Sequence, residues 1–181
     1  MENIMIILII IIIVSVLLMI YTIIYNKFQV YIIKINTVEN NLDETLRAKF
    51  DLLNKNFIIA KDNTKSKIEE LEVFKELKDL KISSFDLDRK LTELEGNCSK
   101  LKNKYPDLNN NDHFNQGFKK LEITNEELIA YKQYYNDITT KFNKLIRLFP
   151  SNMVGKISGL KERLYYDQKD LSDEDINDFK L

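Results

Sequence analysis

A chain of 181 residues with 27 Lys and Arg against 28 Asp and Glu has a formal charge of −1, and its Lys residues are interleaved with acids rather than gathered into a stripe, which argues against a nucleic-acid partner. One histidine and one cysteine exclude an intramolecular disulfide and, within one chain, a di-metal carboxylate bundle, which takes Glu-x-x-His on two helices. The 44% of hydrophobic residues combine an apolar block at the start with a stretch of ordinary polarity, long enough to bury one core.

That block runs from Ile4 to Tyr25 without a charge, a glycine or a proline. Roughly 22 residues at about 1.5 Å each give some 33 Å of helix, against a hydrocarbon thickness of about 30 Å. Ser15 and Thr22 can return their hydroxyls to the carbonyl four residues back, and Tyr21 and Tyr25 stand where an aromatic belt belongs. The start has no basic residue and no small-residue cleavage site follows, so the span is expected to stay attached. No Lys or Arg precedes it, whereas Lys27, Lys34 and Arg47 follow, which favours a cytoplasmic C-terminal domain over an extracytoplasmic one.

Beyond the span, Phe28, Tyr31, Ile35, Val38, Leu42, Leu46, Phe50, Leu53 and Phe57 recur every three or four residues, one face of a long helix continuous with the membrane segment. Asp62 to Thr64 is a place to kink or pause, with Ser66 and Glu69 as a capping box, before Ile68, Leu71, Phe74, Leu77 and Leu80. A stronger break is expected at Lys81 to Ser84, with Ser83 and Asp86 as the capping pair. Leu87, Leu91, Leu94, Cys98, Leu101 and Tyr105 form the next stripe, which Pro106 ends, and Asn109 to Asp112 form a turn. Phe114, Phe118, Leu121, Leu128, Tyr131, Tyr135, Ile138, Phe142, Leu145 and Phe149 then predict a long helix stopped by Pro150. Met153, Val154, Ile157 and Leu160 supply the apolar face of a short one.

Helices with one apolar stripe each, joined by short turns, must pack side by side. The expected fold is all-α: an N-terminal transmembrane helix followed by an antiparallel four-helix-bundle-like domain, with an extended coiled coil between copies as the alternative. The expected divisions are a short N-terminal tail 1–3, the span 4–25, the bundle 26–160 and an acidic, flexible tail 161–181, in which Tyr165 and Tyr166 either anchor the tail or stand in solvent.

Two blocks carry a resemblance. Tyr25, Asn26 and Phe28, then Leu42, Asp43, Leu46, Arg47, Asp51, Leu52 and Leu53, form the first. Tyr105, Pro106, Asp107 and Leu108, then Phe114, Leu121, Thr124, Leu128, Tyr135, Asn136, Asn143, Phe149, Pro150, Ser151 and Asn152, form the second. In order and spacing the chain resembles the LemA family of bacterial membrane-anchored proteins over about residues 5 to 160. The resemblance implies a helical bundle behind one N-terminal anchor and brings no settled biochemical activity. The chain departs from the family pattern at Asn125, where a Glu is usual, and at Lys132, where an Arg is usual.

Thr124, Asn136 and Asn143 lie on or beside the apolar stripe of their helix, separated by 12 and 7 residues. An unpaired buried polar group costs about 1–3 kcal/mol, so each is expected to find a partner, with Asp43 or Arg47 as candidates. The set reads first as a hydrogen-bond layer that fixes helix register, and secondly as a small polar pocket. His113 is expected to be a surface cap and Cys98 a buried, inert thiol. No phosphate loop, His-Glu-x-x-His or nucleophile elbow is present, so no catalytic, metal or cofactor residue is assigned. The expected function is that of a non-enzymatic scaffold or interaction protein, with the bilayer and other membrane or envelope proteins as partners and homo-oligomers allowed. A small-ligand sensor or enzyme using the polar pocket is the alternative.

Overall fold

The computed structural model describes residues 2–65, 68–79 and 82–166, and everything described is helix or connection, with no strand. The helices are α1 (Glu2–Thr64), α2 (Glu70–Asp79), α3 (Ser84–Lys104), α4 (Asp112–Arg147) and α5 (Ser151–Ile157), with a 3-10 turn over Pro106–Asn110. The chain is all-α, as the stripes predict.

The element ends follow local chemistry. With no glycine before Gly96 and no proline before Pro106, nothing interrupts α1 until the polar patch at 62–64. There Lys65 turns to φ 51°, the left-handed position that closes many helices, and its N–H donates to Lys61 O at 2.9 Å. The capping box expected at Ser66 falls outside the described residues. At the head of α3, the Ser83 hydroxyl accepts from Asp86 N at 3.1 Å and reaches Asp86 Oδ2 at 2.9 Å, the expected reciprocal cap. Pro106 ends α3 and opens the 3-10 turn. Asn111 caps α4 by accepting from Phe114 N at 3.0 Å, which leaves His113 exposed in the first turn rather than acting as the cap.

The chain falls into two compact units, Met1–Thr37 with Asn136–Leu164, and Val38–Tyr135 with Tyr165–Leu181. In the second unit, residue pairs give the helix directions. Asn63 meets Asn111 while Asn56 lies against Gly117, so α1 and α4 run antiparallel. Asp43 meets Ser84 and Lys49 meets Glu95, so α1 and α3 run parallel. The Phe74 ring contacts Phe50 and Phe57, and Lys78 stands over Phe50, which makes α2 antiparallel to α1. Leu42, Leu46, Leu53, Leu87, Leu91, Leu121 and Leu128 fill the space between them.

In the first unit, Phe28 meets Phe142 edge-on at 5.7 Å, and α5 packs through Val154 and Gly155, whose Cα lies so near Phe28 that an added Cβ would stand 3.5 Å from the ring. Two expectations fail here. Phe149 does not extend the stripe of α4, because the helix ends at Arg147 and the ring is 78% exposed in the turn before Pro150. Met153 and Ile157 face outward instead of packing, because α5 presents its narrow side, Ser151, Val154 and Gly155, to its neighbours. Gly159, at φ 67°, ends the element, and the Leu160 N–H closes back on Gly155 O at 2.9 Å.

Candidate functional site

Lys49 follows Leu46 by three residues and precedes Leu53 by four, which places a lysine on the apolar face of α1. Its side chain is 3% exposed, and its ammonium meets Glu95 Oε2 of α3 at 3.0 Å. The other oxygen of Glu95 accepts from Asn125 Nδ2 of α4 at 2.8 Å. One charged layer therefore ties three helices together. A buried charge is tolerated only when paired and hydrogen-bonded, and this arrangement supplies both conditions.

A second polar group gathers around Tyr166. Its ring is buried, packs on Phe85 and Tyr135, and lies under the Lys132 ammonium, which itself pairs with Asp88. The phenol donates a long 3.5 Å bond to Ser84 O, and the Ser84 hydroxyl donates to Asp43 at 2.7 Å. Tyr166 is thus an anchor rather than part of a flexible tail; the rest of that tail, 167–181, lies outside the described residues.

The polar set named from the sequence is distributed between the units. Asp43, Arg47 and Thr124 belong to the second; Asn136 and Asn143 belong to the first. The Thr124 hydroxyl is returned to Lys120 O of its own helix at 2.8 Å. Arg47 is exposed, and the Asn136 carbonyl accepts from Thr140. Asn143 is buried and grips one residue twice, donating to Arg163 O and accepting from Arg163 N, both at 2.8 Å. Of the family-motif residues, Tyr135 is core, Tyr105 and Pro106 make the α3 exit, Phe149 and Pro150 make the turn into α5, Asp51 is exposed, and Tyr25 stacks on Tyr21 with Asn26 exposed beside it.

Two grooves open on the second unit. One, of about 350 Å³, lies between α1 and α2, with Ile58, Ile68, Leu71 and Phe74 as its apolar wall and Lys61, Lys75 and Lys78 on its rim. The other, of about 700 Å³, lies between α3 and α4 and mixes Lys102 and Lys119 with Asp112, Glu122 and Glu126 above Glu95 and Asn125. Its Lys102 ammonium stands 4.1 Å from the centre of the Phe118 ring. No group of three His, Cys, Asp or Glu among the described residues is placed to hold a metal ion. Cys98 is buried, and that desolvation pushes its thiol up to about 12.

A family model described as LemA family matches residues 39–177. The chain belongs to the LemA family. The match takes in nearly all of the second unit, including Lys49, Glu95, Asn125 and Tyr166, and begins after the apolar run. No curated protein and no solved structure matches this LemA-family chain. Asn125 and Lys132, two of the positions that depart from the family pattern, both make cross-helix contacts, to Glu95 and Asp88. Lys49, Glu95 and Asp88 are absent from the sequence-based reading, where Tyr166 stands as an anchor or a solvated residue; a lysine at stripe spacing is the visible signal for the first.

Proposed function

We propose that this LemA-family protein is a single-pass, membrane-anchored helical module that holds other proteins at a bacterial membrane and is not an enzyme. The observation that carries this reading is the contrast along α1. Ile4 to Ile20 is an apolar surface that stays exposed in the folded chain, whereas Phe28, Ile35, Leu42, Leu46 and Leu53 are buried. Apolar area left in water costs about 25 cal/mol per Å², and a bilayer removes that cost while α1 satisfies its own backbone. Lys27, Lys34 and Arg47 after the run, with none before it, support a cytoplasmic domain. The mixed charges along the α3–α4 groove suit a polar protein segment better than a small ligand, and its ionic floor is occupied internally.

The test places a photo-crosslinking residue at Lys119, on that groove, in the full chain in native membranes washed with carbonate. Retention in the membrane and a discrete adduct to a protein, foreign or a second copy, is the expected result. Release by carbonate would refute the anchor. Retention without an adduct, combined with thermal stabilisation by a small metabolite, would replace the scaffold by a sensor. Sidedness follows from a Cys98→Ala, Ser99→Cys chain and an impermeant maleimide, which is expected to label the introduced thiol only after lysis.

A further inference from the structure

The first unit carries apolar side chains that neither its own core nor the apolar run accounts for. Leu148 and Phe149, in the turn after α4, are 49% and 78% exposed, and Met153 and Ile157, spaced four apart on α5, are 56% and 72% exposed. They are not scattered over a water-facing surface. The Tyr21 hydroxyl lies 3.2 Å from Ser158 Oγ, and Gly155 packs against Phe28, so α5 lies alongside residues 21–28 of α1. Tyr21 is four residues inside the end of the apolar run at Tyr25, about 6 Å along the helix axis. Gly155 lies beside Phe28, about 4.5 Å beyond the end of the run, and Ser158, just after α5, lies beside Tyr21, about 6 Å inside it, so these contacts put α5 across the boundary between headgroups and acyl chains where interfacial helices seat their apolar side.

From this contact we infer that the α4–α5 corner is a second membrane-contacting element, whose Leu148, Phe149, Met153 and Ile157 enter the headgroup–acyl boundary of the bilayer that α1 crosses. The inference rests on the membrane anchor proposed above and adds a lipid contact to it. Continuity selects lipid as the occupant: a corner fixed beside the last turn of a span meets the bilayer before any soluble partner. The flanking charges agree with an anionic surface, since Lys144, Lys156 and Lys161 are exposed around the apolar side chains. Ser151 reaches the carbonyls of Leu145 and Leu148 at 2.6 and 2.8 Å, which holds the corner in a fixed form.

The chain has no tryptophan, so a single Trp reports without background. Three full-length variants, Ile12→Trp, Phe149→Trp and Ile157→Trp, are reconstituted in vesicles of phosphatidylcholine and phosphatidylglycerol, with and without bromine at the upper acyl carbons. For a side chain at the boundary, roughly a twofold loss of emission and a blue-shifted maximum are expected at 149 and 157. Quenching at 12 with unshifted, unquenched emission at both 149 and 157 would overturn the inference and leave the anchor standing. Absence of quenching at 12, with protein that does not float with vesicles, would overturn both. The two reporter positions are exposed, and either one alone reads the result if the other variant fails to fold.

Discussion

The amide oxygen of Asn56 lies 1.9 Å from the point where a Cβ on residue 117 would stand, so α1 and α4 approach through a notch that only glycine leaves open. Asn56 is buried, and its Nδ2 has no hydrogen-bond partner among the described residues. Gly117→Ala is expected to destabilise the chain by about 1–3 kcal/mol through overpacking, despite alanine's better helix propensity. Adding Asn56→Ala removes the clash and the orphaned amide, so the double variant is expected to be more stable than Gly117→Ala alone. Gly96→Ala, with open space around it, is the control and is expected to stabilise by about 0.5–1 kcal/mol. Urea unfolding in detergent followed by circular dichroism gives all of these values.

The Lys49–Glu95 pair is asymmetric, because the lysine is almost wholly buried and the glutamate is 23% exposed. Glu95→Gln leaves a buried ammonium without a counter-charge and is expected to approach the ~3 kcal/mol of a broken buried pair. Lys49→Met leaves a carboxylate that still reaches water and Asn125, and is expected to cost less. Equal costs in the same unfolding series would show that the two charges are equally solvated.

Cys98 is expected to be silent toward iodoacetamide at pH 8 in the folded protein and to react fully in denaturant. Burial raises its thiol from 9.0 to about 12, so stability attached to the protonated form is complete below pH 9 and is lost as pH rises toward 12. Mass-resolved labelling from pH 7 to 10 checks the silence of the folded thiol, and unfolding followed from pH 9 upward checks the loss of stability.

Glu162 shows the opposite sign. A hydrogen bond from Arg147, at 2.8 Å from Nε, holds its carboxyl below the usual carboxylate range. Its contribution is present above the unfolded value of about 4.3 and is lost as pH falls through the lowered one. Side-chain carboxyl NMR is expected to show Glu162 returning to the ordinary range in Arg147→Ala. The group is fully exposed, so the change in global stability is expected to be small.

Much of the fold is legible in the sequence because the signals are local. Ser83 with Asp86, Pro106, and the stripe from Leu42 to Phe57 each act where they stand. The buried side of α1 is nonetheless wider than one residue per turn: Lys49 and Asn56 sit on its shoulder beside Phe50 and Phe57, and both are buried. Periodicity places such residues at the edge of a face but does not reveal that Glu95, 46 positions away, neutralises one of them. Phe149 misleads because its spacing fits α4, whereas the helix stops two residues earlier. On α5 the apolar count favours Met153 and Ile157, but close approach to Phe28 selects Gly155. Tyr166 lacks any periodic context after the short helix, which leaves anchor and solvent both open in the sequence, and its contacts with Phe85 and Tyr135 decide for the anchor.

Asn143 reads the chain at Arg163 through its peptide groups alone, giving and taking one bond as a neighbouring strand would. The clasp is therefore blind to what side chain stands at 163 and sensitive only to whether a main-chain N–H is there. These two bonds ask nothing of the side chain at 163 beyond a main-chain N–H, which proline alone lacks, while Asn143 itself has no substitute that offers both a donor and an acceptor at the same reach.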